Sequence, residues 1–291
     1  MTLLRPEPAE VQHPEVRNAT APVFSVPAGD GEDRTTVFER AIGGLKWVIV
    51  PVGLVLTWHL AVETGAVPST LVANPVDSVV RLFELTADGT IAEHVLASLR
   101  RILLGFTLGS IVGIVIGAII GTSRAGARVL EPTALTLIPV PAVAWIPLLV
   151  VLFGIGEMSK VVLVSIGSAT TLILATAAGV RGASRDLVEV ANLYEKSRFT
   201  LFRTVLLPSA VPGIIASARV AMALSWTLLV AAEVIASANG LGWFIWDSRN
   251  FARPASMIAG MMVIGALGKL TDTALARLGA HLTRWNRSYG S

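Results

Sequence analysis

The chain has 291 residues, of which 53% are hydrophobic and only 15% charged, against about 25% charged in an ordinary soluble domain. With 26 glycines and a mean hydropathy of +0.69, so much apolar surface finds no cover in a soluble fold of this size, and the composition indicates an integral membrane protein. A formal net charge of +3 argues against a nucleic-acid binder; the absence of cysteine excludes disulfides, thiolate metal sites and cysteine nucleophiles, and the scattered His13, His59, His94 and His281 lack metal-ligand spacing.

In chain order, residues 1–44 are polar and proline-rich (Pro6, Pro8, Pro14, Pro22, Pro27) and read as a solvated, disordered cytoplasmic tail rather than a signal peptide. A membrane domain follows over residues 45–285, with residues 286–291 as a short C-terminal end. Its first apolar span runs over residues 47–62, interrupted by Pro51, with His59 and Glu63 as a polar cap at the membrane boundary. Asn74-Pro75 then opens a short amphipathic surface helix with Val76, Val79, Val80 and Phe83 on its apolar side. Further spans are expected at 92–121, 131–153, 158–179, 208–233 and 257–282, each long enough for about 30 Å of hydrocarbon at about 1.5 Å per residue. Helices are the expected form, because no span alternates as a membrane barrel strand does. The fold class is therefore all-α, with six transmembrane helices.

The basic residues set the orientation. With the N-terminus inside, Arg124 and Arg128, then Arg181, Arg185, Lys196, Arg198 and Arg203, then Arg277, Arg284 and Arg287 all fall in cytoplasmic segments. Both termini are therefore expected in the cytoplasm.

Three segments hold functional interest. Gly105, Gly109, Gly113, Gly117 and Gly121 form a ladder at four-residue steps, a smooth groove for the close approach of another helix within the bundle or in a second copy. Pro139, Pro141 and Pro147, with Trp145 among them, must bend or break the third span. Such a break is tolerated where it lines a path through the protein. Between the fourth and fifth spans, Ser184 suits a helix N-cap, Asp186 sits in the first turn, and Leu187, Val190, Ala191 and Tyr194 share one face. A second start follows at Ser197. The spacing predicts two short amphipathic helices on the cytoplasmic surface, resting on lipid headgroups or serving as a docking knob for a partner.

This loop resembles the EAA loop of binding-protein-dependent ABC importer permeases. Glu189, Ala191, Phe202, Leu207 and Pro208 stand at the matching places, whereas Val190 replaces an Ala and Glu195 replaces the expected Gly. Gly would allow the turn that Glu resists. Ser98-Leu99-Arg100-Arg101 with Gly105-Phe106, residues 147–157 ending in Gly154-Ile155-Gly156-Glu157, and Ala231-Ala232-Glu233 with Gly240-Leu241-Gly242 resemble the nitrate, sulfonate and taurine branch. The resemblance covers residues 46–285. It implies a type I importer permease in a bacterial inner membrane, a transport subunit rather than an enzyme, with no catalytic residues. It also implies a second permease copy as homodimer partner, two ABC ATPase subunits, and an extracytoplasmic solute-binding protein that delivers a small anion. The chain has no G-x-x-x-x-G-K-[ST] phosphate loop, so it carries no cofactor of its own, and ATP and Mg belong to the ATPase.

Charged and polar residues inside the spans complete the candidates. Lys269 and Asp272, three apart, are expected to neutralise each other. Arg219 is expected either to reach the cytoplasmic interface or to serve as an anion contact or a gate ion pair, in a path continued by Ser225, Trp226 and Thr227. Glu233 is expected at the outer end of its span, at a gate or at interface water. The rival reading is an ion-coupled secondary transporter that relays protons through Glu233 or the Lys269/Asp272 pair, and the chain shows no internal repeat of the kind such proteins carry.

Overall fold

The computed structural model describes residues 36–284, with side chains from Ile49 onwards. The expected tail up to position 35 and the C-terminal end lie outside the described residues. Helix α1 (Thr36–Glu63) begins ahead of the expected first span and carries Pro51 within it. The remaining helices belong to the compact unit that starts at Gly53. They are α2 (Pro75–Ala87), α3 (Thr90–Thr122), α4 (Arg124–Leu137), α5 (Ile146–Phe153), α6 (Glu157–Arg181), α7 (Arg185–Leu193), α8 (Arg198–Leu201), α9 (Leu207–Ala236), α10 (Leu241–Asn250) and α11 (Pro254–Leu282). No strand occurs among the described residues. By length and composition α3, α6, the continuous α8–α9 stretch and α11 can each cross a membrane, and the bent α4–α5 segment makes a fifth crossing if counted as one span. The apolar part of α1, Ile49–Glu63, is shorter.

The centre of the bundle is α3 against α6, held by the glycine ladder. A Cβ at Gly105 would stand 2.7 Å from Val164 Cβ, one at Gly113 2.9 Å from Leu172 Cβ, and one at Gly121 2.7 Å from Val180 Cβ. At Gly109 and Gly117 the obstacles include the backbone carbonyls of Ser165 and Ile173. The five glycines thus let two backbones meet within one chain, where lipid offers no competing hydrophobic drive and close van der Waals contact is the attraction. Ser165 Oγ, which donates to its own helix at Val161, also donates to Gly105 O across the seam at 2.9 Å. The pairing 105–164 through 121–180 makes α3 and α6 parallel. Gly167 meets Leu228 and Gly179 meets Ala210, so α9 runs antiparallel to α6. On the opposite side of α3, Leu104, Leu108, Ile111 and Val115 are exposed, as suits a lipid-facing surface.

The proline-rich stretch breaks the chain. Helix α4 stops at Leu137, Ala142–Trp145 form a 3-10 turn, and the two halves meet at 88°. Pro139 and Pro141 cause this, because neither has an N–H to continue the ladder. Pro147 does not contribute to the break. It lies in the first turn of α5, where a missing N–H is harmless.

The start of α2 follows its local signals: Asn74 Oδ1 accepts from Val76 N at 3.0 Å. The same side chain ties down the polar cap, since Asn74 Nδ2 donates to Glu63 Oε1 at 2.8 Å and Oδ1 lies 3.0 Å from His59 Nδ1.

Candidate functional site: an open coupling surface, a cleft at the helix break and a buried ionic joint

The antiparallel register gives the bundle two ends. One gathers the C-termini of α3 and α6 with the start of α9, and here α7 and α8 project. Ser184 occupies the N-cap of α7 without a side-chain hydrogen bond, whereas Ser197 Oγ caps α8 by accepting from Thr200 N at 3.2 Å. Between the helices, Glu195 at the expected Gly position adopts φ +49°. The left-handed turn is therefore made with Glu in place of Gly, at a local cost of about 1 kcal/mol. Neither α7 nor α8 has a buried residue. Leu187, Val190, Leu193, Tyr194 and Phe199 are all exposed, Leu193 to 81%. Glu189 is exposed beside them, and Ala191 and Phe202 are half-buried. A π-helical turn, Phe202–Leu206, feeds into α9, with Leu207 and Pro208 in its first turn. The chain from Arg198 to Ala236 is thus one continuous helical stretch that can cross a membrane. Nearby, Arg181 forms a two-pronged pair with Glu131 at 2.6 and 2.7 Å, joining α6 to α4.

Midway along the bundle, the break borders a cleft of about 500 Å³ between the α4–α5 elbow, α6 and α9. Ile138, Pro141 and Trp145 form one wall, with Thr170, Thr227 and Leu228 opposite. Of the sequence candidates for the path, Trp145 and Thr227 line this cleft and the others do not. Ser225 is wholly buried and donates to Ala221 O at 2.7 Å. Trp226 is buried and donates from Nε1 to Thr271 Oγ1 at 3.1 Å. Arg219 forks onto Asp272, Nε to Oδ1 at 2.7 Å and Nη2 to Oδ2 at 3.0 Å. The expected Lys269–Asp272 pair is present but loose, at 3.9 Å with 79% of the Lys269 side chain exposed, and Arg219 makes the closer contact. Arginine wins because its planar fork matches both carboxylate oxygens across α9 and α11.

At the opposite end, the three stretches that carry the branch resemblance meet in space. Arg101, 1% exposed, donates through Nε and Nη2 to Glu157 at 2.7 and 2.6 Å, through Nη1 to Glu233 Oε1 at 2.7 Å and Asn239 O at 3.0 Å, and through Nη2 to Asn239 Oδ1. All five guanidinium donors are used. Glu233, fully buried, also accepts from Ser98 Oγ at 2.7 Å and Gly242 N at 2.8 Å. It therefore neither reaches interface water nor stands free as a proton relay. Helix α10, which the sequence reading missed, starts in this joint. The amides of Gly240, Leu241 and Gly242 donate to His94 Nδ1, Ser98 Oγ and Glu233 Oε2. Its orphan N-terminal donors are capped by remote side chains, so no local start signal marks it. Gly240 adopts φ +105°, and a Cβ there would collide with Glu233 and Arg101. Arg101 was legible only as part of a family-like string; its burial and its partners are tertiary facts. Among the described residues no group of His, Cys, Asp and Glu suited to a metal ion occurs.

Comparison with known proteins agrees with this architecture. The family described as "Binding-protein-dependent transport system inner membrane component" matches residues 109–284. The chain is similar to the aliphatic sulfonates transport permease protein SsuC of Escherichia coli (strain K12), 37% identical over 84% of this chain and 95% of that protein. It is similar to the taurine transport system permease protein TauC of the same strain, 33% identical over 68% of this chain and 72% of that protein. Among solved structures, an inward-facing form of the MetNI methionine ABC transporter has a similar fold, with a TM-score of 0.59 and 19% identity over 66% of this chain and 96% of that chain.

Proposed function

The chain belongs to the family of binding-protein-dependent transport system inner membrane components, and we propose that it forms the translocation path for a small organic anion such as a sulfonate or taurine. It is an ABC importer permease, a membrane-embedded transport subunit rather than an enzyme, and ATP hydrolysis resides on a separate subunit. The observation that carries the mechanistic reading is the uncovered apolar surface of α7 and α8, continuous through the π turn with α9. In this reading two ATPase subunits, with ATP and Mg, grip Glu189, Val190 and Tyr194 on each of two permease copies. Their closure pushes Phe202, Leu207 and Pro208 and rocks α9 against α6. The cleft walled by Trp145 and Thr227 is the solute's route, since irregular backbone at membrane depth is tolerated where it lines a water-filled cavity. The coupling end lies in the cytoplasm, with both termini on that side and six crossings when α1 and the α4–α5 segment are counted. An external binding protein delivers the solute at the opposite end.

The anion assignment is supported by the substrates for which the similar SsuC and TauC permeases are named. The test is to purify the complex, identify the co-eluting chains, and measure ATP-dependent uptake of labelled sulfonates, taurine and nitrate in proteoliposomes. Selective import of a cation or a sugar overturns the anion class. Accumulation by the isolated chain without an ATPase overturns the mechanism.

A further inference from the structure

Lys160 is a buried cation that nothing above employs. It lies in the first turn of α6, 3% exposed, and its Nζ donates to Gly156 O at 3.0 Å. Among the described residues no carboxylate oxygen comes within 4 Å of its ammonium, and Glu157 and Glu233, both hydrogen-bonded to Arg101, act on its charge only from further away. An ammonium group carries three donors, so burial with one carbonyl partner is costly unless something further meets it.

The place where it lies gives the burial a purpose. Lys160 and Ser159 border a residual void of about 10 Å³, walled by Ile146 and Leu149 of α5, Leu163 of α6 and Ala232 of α9. These apolar side chains, with Leu228, form one tightly buried cluster. The same seam contains the 500 Å³ cleft: Gly167 and Leu228, which line the cleft, lie one helical turn from Leu163 and Ala232. Trp145 of the cleft directly precedes Ile146. The cluster is thus a plug at the outer end of the cleft, and Lys160 stands immediately behind it. The plug's wall α5 is short, bounded on one side by the proline break and on the other by Gly154 at φ +76°. It can swing without unwinding a long helix.

We propose that the Ile146–Leu149–Leu163–Leu228–Ala232 cluster is the outer gate and that Lys160 is the specificity-determining cation that receives the anionic head of the substrate as the gate opens. This rests on the anion reading above. A sulfonate has three oxygens for the unused ammonium donors, while its short hydrocarbon part suits the apolar gate side chains. Nitrate fits the charge but leaves the apolar wall without a partner.

The alternative role for Lys160 is a counter-charge, since Arg101 and Lys160 together balance Glu157 and Glu233. A pair of variants separates the two. Uptake of labelled ethanesulfonate is measured in proteoliposomes with the complete transporter, for wild type, Lys160→Met and the charge-balanced Lys160→Met/Glu157→Gln, alongside thermal unfolding. The proposal expects both variants to lose about tenfold or more in uptake through a raised KM, the scale of one hydrogen bond to a charged group, while the thermal midpoint of the double variant reports the weakened Arg101–Glu157 pair separately. Double-variant uptake within about twofold of wild type overturns it and leaves Lys160 as a counter-charge. Wild type that imports none of ethanesulfonate, taurine and nitrate overturns the anion reading itself. Should the methionine variants fail to fold, the absence of native cysteine offers a second route: Lys160→Cys is treated with aminoethyl methanethiosulfonate, which restores a cation, or with the neutral methyl reagent. A lower KM for ethanesulfonate after the aminoethyl reagent than after the methyl reagent, at equal thermal midpoints, supports the proposal, and equal KM values overturn it.

Discussion

The two ends of the bundle are built on opposite plans. At one, Arg101 spends every donor on Glu157, Glu233 and Asn239, and Glu233 is closed on all sides by Ser98, Gly242 and the guanidinium. At the other, α7 and α8 bury none of their residues and leave Leu193, Tyr194 and Phe199 uncovered. The polar groups of this joint are so fully satisfied that any rearrangement of it must break charge-assisted hydrogen bonds. The second end exposes apolar surface far from the lipid-facing flank of α3, the kind of patch that marks a protein interface. A rigid joint at one end and an open contact at the other suit a device that is driven from one side and pivots at the far side.

Four main variants, two of them with a companion variant, probe that contrast. The largest effect falls on the open end: Glu189→Arg is expected to reduce ATP-driven uptake to background while size-exclusion and thermal profiles stay those of the folded protein. Uptake at the normal rate ends the coupling role of α7. At the closed end, Arg101→Met strands a wholly buried carboxylate and is expected to cost about 3–5 kcal/mol, read as a large fall in the thermal midpoint in nanodiscs. Adding Glu233→Gln should recover part of the loss, and an unchanged midpoint for the single variant would show the joint to be energetically idle. Between the two ends, Gly109→Val forces a side chain into Ser168 and the Ser165 backbone and should cost about 1–3 kcal/mol by overpacking. Gly265, with nothing within 4 Å of its Cβ position, should accept Val without a measurable shift. The smallest effect is expected at the turn: Glu195→Gly relieves a left-handed residue and should stabilise the α7–α8 turn by about 1 kcal/mol, seen as slower amide exchange over residues 193–197. Faster exchange there would mean that the Glu195 side chain contributes more than its backbone conformation costs.

The sequence was a good guide wherever a local cause sufficed. Hydropathy marked the long apolar helices, Pro139 and Pro141 marked the break, Asn74 marked the start of α2, and the four-residue glycine step marked the α3 seam. It was a poorer guide where two or more partners compete. Asp272 has Lys269 one turn away, yet Arg219, 53 positions distant, makes the closer contact by offering two parallel donors. Ser225 and Trp226 looked like path residues because they follow Arg219, but helix rotation turns them into the core while Thr227 faces the cleft.

By itself, then, the chain determined its solvent, most of its helices and the short amphipathic pair ahead of α9, because each of these depends on composition or on neighbours within a few residues. Only the folded bundle decided which glycines touch which helix, where α10 begins, and which charges are neutralised. Those outcomes depend on atoms brought together from α3, α6, α9 and α10, and the burial that makes Arg101 and Glu233 indispensable to each other exists only once those helices have closed around them.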